Sequence, residues 1–238
     1  VQSNGIAILN ETVMTEIAGR VGPSRVALLP DVAVADLPDR PDPVAERIRR
    51  AARGRRVVGL VGFLKKYKGI LTLLDVVRCV DPERFFFVIA GELVKSDFAA
   101  DELERITAMT DHPPYNCFFD PRRLPDERSY NAVFSELDIV FAAFRDFPYS
   151  SNTLTKAALF RKPVIVSKGY CMAQRVRHYR LGVAIDQDRA DQCAEVLQEW
   201  HGSYESVCAE ADFAGYADLN SVDRLAENLM PLLDPPAG

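Results

Sequence analysis

Short apolar runs and amphipathic stretches alternate along almost the whole chain. The apolar runs fall at residues 6–9, 26–29, 57–61, 85–90, 116–119, 139–144, 164–166 and 183–185. They are continuous rather than alternating, and rich in Val, Ile and Phe, which predicts strands covered on both faces. Helical periodicity fills the intervals at 11–20, 44–52, 69–80, 99–109, 125–137, from Ser151, at 172–179 and at 192–200, with a helical tail over 221–233. Strands alternating with helices call for right-handed βαβ units, so the fold class is α/β, a doubly wound, mostly parallel sheet over about 44–202. Residues 31–43, with Pro38, Pro41 and Pro43 among acidic residues, read as a linker or crossing.

Residues 150–167, SSNTLTKAALFRKPVIVS, are the most informative stretch. Ser151 and Asn152 are good N-cap residues for a helix whose apolar face is Leu154, Ala157, Ala158 and Phe160. Lys162-Pro163 ends that helix, and Val164-Ile165-Val166 follows as a buried strand. In a parallel sheet the loop before such a helix lies at the carboxyl edge, where a helix N-terminus favours an anion. The loop at 145–149 carries Arg145 and Asp146. Asp146 there is either a base or sugar-hydroxyl partner, or half of an ordinary surface ion pair, which is the commoner case.

A second strand–loop–helix reads VGFLKKYKGI over 61–70. Gly59 and Gly62 are placed within its strand. Neither GxGxxG nor GxxxxGK[ST] is present, so it matches neither the dinucleotide fingerprint nor the P-loop. Three lysines surround the helix start, with Lys68 nearest to it, and they read equally as a solvated loop or a diphosphate clamp. The next strand ends Ala90-Gly91-Glu92, where Gly91 admits a close backbone or ligand approach, or simply makes a turn.

Composition narrows the partners. The chain has 238 residues, is 48% hydrophobic and 26% charged, and carries a net charge of −5. An acidic balance argues against general nucleic-acid binding. The local basic cluster Arg47, Arg49, Arg50, Arg53, Arg55 and Arg56 reads as a solvated helix face in preference to a lipid or phosphate patch. Five cysteines lack CxxC spacing, and Cys79 and Cys193 sit in apolar helical patterns, which predicts buried thiols, a reducing compartment and no zinc site. His112, His178 and His201 are spaced as surface or loop residues. No apolar run approaches the ~20 residues that span a bilayer. The sequence starts at Val1 rather than Met, as a piece of a longer chain would.

Taken in order, these segments resemble the C-terminal, donor-binding half of a GT-B glycosyltransferase, most closely the retaining family-4 type. VGFLKKYKGI is similar to that family's donor-diphosphate loop, FFFVIAG (85–91) to its second strand and glycine turn, SNTLTKAALFRKPVIVS to its helix and Lys-Pro-Val-Ile strand, and KGYCMAQRVRHYRLGVAI (168–185) to the loop and helix that follow. The opening segment resembles the last strand and helix of the N-terminal domain. The resemblance implies one Rossmann-like half of a GT-B fold, divided into residues 1–43 (end of the N-terminal domain and crossover), 44–215 (nucleotide-sugar-binding domain) and 216–238 (C-terminal helix and tail). It implies a UDP- or GDP-sugar donor, and a glycan, lipid or small-molecule acceptor held by an N-terminal GT-B domain outside this chain. No metal, other cofactor, nucleic acid or membrane span is expected, and the implied setting is bacterial glycan biosynthesis in the cytoplasm or at its membrane surface. The implied donor-binding residues are Gly62, Phe63, Lys68, Gly91, Glu92, Asp146, Ser150, Ser151, Asn152, Thr153 and Lys156.

Two departures stand out. Phe63 occupies the place of the family's usual arginine, and the family's E-x7-E acids fall on Pro148 and Lys156. Lysine cannot accept the hydrogen bonds of a donor ribose, so Lys156 is read instead as a phosphate partner that restores the charge lost at Phe63. The catalytic base is not identifiable, and the piece alone is expected to bind without turnover. Two other readings stay open: a non-catalytic scaffold on the same fold, favoured by Phe63, Pro148 and Lys156, and a dinucleotide oxidoreductase, for which Glu92 lies near the ribose-partner position.

Overall fold

The computed structural model describes residues 5–233. β1 (Ile6–Ile8) and β2 (Val26–Leu28) form a small parallel pair, joined through α1 (Met14–Val21). The chain then crosses without regular structure to α2 (Pro43–Ala52). Asp42 starts that helix by accepting hydrogen bonds from the Val44 and Ala45 N–H groups, with Pro43 pre-set for the first turn.

The main body follows as β3 (Arg56–Val61), α3 (Ile70–Cys79), β4 (Phe85–Ala90), α4 (Ala100–Asp111), β5 (Cys117–Asp120), α5 (Glu127–Ser135), β6 (Ile139–Ala142), α6 (Asn152–Leu159), β7 (Val164–Ser167), α7 (Cys171–His178), β8 (Gly182–Ile185) and α8 (Ala190–Glu210). Its six strands are all parallel, in the order β5-β4-β3-β6-β7-β8. After β5 the chain returns across β3 and builds outward in the other direction, so a crevice opens at the carboxyl ends of β3 and β6, where the winding reverses. The fold class read from the sequence is the one observed. β4 is buried along its whole length, and Phe85, Phe86, Phe87 and Phe141 fill the centre of the core.

Four local features differ from expectation. α8 continues ten residues past Trp200. Gly202 costs a helix about 1 kcal/mol relative to alanine, but Tyr204, Val207 and Cys208 beyond it pack on the core, and the Tyr204 hydroxyl donates to the Asp138 carbonyl at 3.0 Å. A separate helix, α9 (Phe213–Leu219), burying Phe213 and Tyr216, precedes α10 (Val222–Leu233). Cys79 is exposed at the end of α3, whereas Cys193 is buried and its thiol pushed up to about 12 by loss of solvent. The basic cluster is not simply a solvated face. Arg49 forks onto Glu136, Arg55 donates to the Ala51, Ala52 and Pro82 carbonyls, and Arg56 lies 3.7 Å from the centre of the Tyr204 ring.

The small sheet is tied to the large one. The buried Arg175 guanidinium of α7 bonds Glu11, Asp31 and the Leu9 carbonyl, and reaches the Tyr216 hydroxyl. Asn220 accepts from the Asp31 N–H, and Asn228 of α10 donates to the Leu28 carbonyl at 3.0 Å. Among the described residues no helix is long and apolar enough to cross a membrane. The ends of the first and last expected segments, residues 1–4 and 234–238, lie outside the described residues.

Candidate functional site

A cleft of about 310 Å³ opens at the carboxyl edge of the large sheet, beside the strand reversal. Its floor is set by two glycines. Gly62 lies one residue past β3, not inside it, with φ 115°, and Gly91 lies one residue past β4 with φ 134°. A Cβ on Gly91 would stand 1.9 Å from the Gly62 carbonyl oxygen. Neighbouring strand ends therefore touch backbone to backbone, and only glycine fits at 91.

Gly69 places the principal cation. Its φ is 75°, and a Cβ there would meet the Ala143 carbonyl at 2.6 Å. The glycine thus lets α3 begin directly against the exit of β6. Lys68, one residue earlier, is held half-buried with its ammonium 4.7 Å from the centre of the Phe144 ring. Tyr67 stacks on Phe147, and its carbonyl accepts from the Arg145 N–H at 2.7 Å, fixing the two loops together. Burial, and then repulsion from Lys65, pull the Lys68 ammonium down to about 8. Among the described residues Lys68 has no acidic partner, whereas Lys66 is paired to Glu102. Of the three lysines only Lys68 enters the cleft.

The N-terminus of α6 forms the facing wall. Ser151 is its N-cap, with its hydroxyl accepting from the Thr153 N–H at 3.3 Å, while Asn152 is already the first helical residue and not a cap. Asn152 and Thr153 line the cleft with the positive end of the helix behind them.

Of the residues expected at the site, Gly62, Phe63, Lys68, Gly91, Glu92, Asn152, Thr153 and Lys156 are brought together. Ser150 is buried behind the wall, and Ser151 caps the helix from outside the lining. Asp146 lies elsewhere, on an exposed turn with φ 47°, where its backbone N–H donates to Gln187 and its carboxylate faces Arg145. Phe63 is 52% exposed and presents an apolar ring at the mouth where the family's arginine was expected.

Lys156 lines the cleft, but its charge is already engaged. The buried ammonium donates to Asn131 Oδ1 at 2.6 Å and to the Val34 carbonyl at 3.0 Å, and pairs with Glu127 Oε1. It also sits 4.9 Å from the Tyr130 ring centre. The cation expected to meet a phosphate is therefore directed toward α5 and the crossing segment.

Sequence reading missed the β5–α5 loop, which supplies Arg123, Leu124, Pro125, Asp126 and Glu127 to the far side of the cleft, with Tyr130 below. Arg122 forks onto Asp120, whereas Arg123 is exposed and unpaired among the described residues. The signal was present in the topology: a third parallel strand must also send its following loop to the carboxyl edge.

The fold is that of the Rossmann-like C-terminal half of GT-B glycosyltransferase structures. HepE from Anabaena, solved with UDP, superposes with a TM-score of 0.75 at 15% identity, over 97% of this chain and 63% of HepE. The C-terminal domain of a glycosyl transferase group 1 family protein (LpcC) from Francisella tularensis covers 78% of this chain and 93% of its own, with a TM-score of 0.58 at 15% identity. Sucrose-phosphate synthase from Thermosynechococcus elongatus matches with a TM-score of 0.70 at 15% identity, over 95% of this chain and 57% of its own. The chain thus spans less than two thirds of the length of HepE and of the synthase. No protein-family profile and no curated protein matches the sequence itself.

Proposed function

We propose that this chain is the donor-binding half of a sugar-transferring enzyme, taking a nucleoside-diphosphate sugar in the cleft between β3, β4 and α6. The observation that carries the reading is Lys68: a partly desolvated cation, unpaired among the described residues, at the strand reversal and on the same cleft as the α6 N-terminus. A diphosphate supplies the charge that both lack. Arg123 on the rim adds a second cation, taking the part assigned from sequence to Lys156. Stabilising a departing diphosphate through fixed cations and N–H groups is the electrostatic work such a transfer needs. HepE has also been solved with UDP-glucose, which favours a uridine nucleotide here. The acceptor, and the group that activates it, belong in this reading to an N-terminal domain outside this chain, and the 1–43, 44–215 and 216–238 division is part of the same proposal.

Calorimetric titration with UDP, GDP, ADP and NAD tests it. Binding of UDP or GDP in preference to ADP and NAD, lost in Lys68→Ala, supports the reading, and silence toward all four rejects it. A second reading, a binding domain on the same fold that no longer transfers sugar, is favoured by Phe63 at the mouth and by the engaged Lys156. It is distinguished by nucleotide binding without donor hydrolysis or transfer in the longest form of the protein.

A further inference from the structure

A second concave site lies at the opposite, amino-terminal edge of the sheet, between α2, the α2–β3 turn and the edge strand β5. It encloses about 590 Å³, in the size range of ligand pockets. Residues 47–56 carry six arginines and not one acid, in a chain of net charge −5. The structure divides them into two sets. Arg49, Arg55 and Arg56 are consumed by the fold, through Glu136, three carbonyls, and Asp138 with the Tyr204 ring. Arg47, Arg50 and Arg53 line the cleft without being so consumed, beside Arg55, which lines it while its guanidinium is spent on carbonyls.

Among the described residues none of the three makes a salt bridge, although Arg47 is near enough to help hold the Asp120 carboxyl below its ordinary range, after the larger effect of Arg122. Arg47 lies 5.1 Å from the Phe118 ring centre, and Arg50 makes one long bond to the Glu46 carbonyl. Arg53 ends α2 in the left-handed region, φ 51°, ahead of Gly54. The acid lining the cleft, Glu83, is turned to the Tyr115 hydroxyl at 2.8 Å. The Tyr115 ring, backed by Arg55 at 5.8 Å, is 64% exposed and forms an aromatic ledge beside the guanidinium groups.

We infer that this cleft binds a phosphorylated ligand, its phosphate on Arg47, Arg50 and Arg53 and its body against Tyr115. Planar guanidinium forks match phosphate oxygens in pairs, and an arginine trio that no carboxylate bridges, with Glu83 turned to Tyr115, lacks the counter-charge that such a ligand brings. The phosphate belongs either to a soluble ester or to a lipid headgroup at a membrane surface. Lying across the sheet from the donor cleft, this site does not depend on the sugar-transfer reading.

The test follows the arginine Nε–H NMR signals while inorganic pyrophosphate is added to the full chain. The Arg47, Arg50 and Arg53 signals are expected to shift together with one affinity. Read at Arg50, that affinity falls at least tenfold in Arg47→Gln/Arg53→Gln and is unchanged in Arg189→Gln/Arg224→Gln, which removes the same charge elsewhere. A thermal melt establishes that both variants fold. Flotation with phosphatidylglycerol vesicles, against phosphatidylcholine, separates the sources: arginine-dependent flotation assigns a lipid headgroup, and pyrophosphate binding without flotation a soluble ester. Silence toward both probes, or equal affinity in the two double variants, overturns the inference.

Discussion

Lys156 Nζ lies 2.5 Å from Glu127 Oε1, joining α6, which walls the cleft, to the start of α5. The pair is lopsided: the lysine is buried and the glutamate is 56% exposed. Most of its value therefore resides in the ammonium's bonds to Asn131 Oδ1, which loses its donor if the lysine is removed, and to the Val34 carbonyl, which keeps the Asn131 Nδ2–H at 3.1 Å.

Lys156→Met is expected to lower the free energy of unfolding by about 2 kcal/mol, the usual cost of an orphaned buried acceptor, here Asn131 Oδ1. Glu127→Gln removes only a partly solvated ion pair and should cost under about 1 kcal/mol. Urea denaturation of both variants checks the order, and a larger loss from Glu127→Gln contradicts this account.

Lys68 gives the proposed donor site a pH signature. Folding depresses the ammonium to about 8, and a bound diphosphate stabilises its charged form again. UDP affinity is therefore greatest below that pH and declines as pH rises through it. Binding near it takes up a proton, visible as a heat that varies with the buffer's ionisation enthalpy. In Lys68→Ala the proton uptake disappears. Without ligand the sign reverses: the unfolded chain holds that proton up to the ordinary lysine value of 10.5, so the fold gains stability as pH rises from about 8 to 10.5.

Three glycines separate necessity from accident. Gly91→Ala forces a Cβ onto the Gly62 backbone at a positive φ and is expected to cost about 2–4 kcal/mol. Gly69→Ala meets the Ala143 carbonyl and should weaken UDP binding as well, because it shifts Lys68. Gly202→Ala meets nothing within 4 Å, and should stabilise α8 by about 0.5–1 kcal/mol. Thermal melts of the three, with UDP titration of the second, decide.

Arg175 holds the small sheet through a bond that acid can break. Burial alone would raise the Glu11 carboxyl, but hydrogen bonding and attraction from Arg175 outweigh it and hold Glu11 below its ordinary 4.5. A carboxylate depressed in the folded state contributes stability above its unfolded pKa and loses it as pH falls through the folded value. Hydrogen exchange in β1 and α1 should therefore accelerate below about pH 4.5, before the large sheet opens. Arg175→Met should produce the same local opening at neutral pH, at a cost of about 3–5 kcal/mol.

The sheet was legible because its strands are unbroken apolar runs and the helices between them keep a 3.6-residue period. FFFVIA over 85–90 admits little else. Helix ends were less so: the helical pattern read only to Trp200, and only the packing of Tyr204 and its neighbours shows that α8 runs on. Lys68 and the α6 N-terminus could be singled out because glycine placement and capping are written in local sequence. Arg123 and the Glu127–Lys156 pair could not, since their meaning comes from segments distant in sequence converging on one edge. Asp146 lies outside the cleft for the converse reason: a charged loop at that edge still turns outward when its backbone is held by Gln187.

Two separate spans of chain bridge the small and large sheets, one from β2 to α2 and the other from α9 into α10, and Asn220 bonds them to each other through Asp31. Any displacement of one sheet against the other would have to break that fastening and the Arg175 bonds to Glu11 and the Leu9 carbonyl. Val34, whose carbonyl holds Lys156, lies on the first of those spans, so a shift of that span would tug on the α6 wall of the cleft.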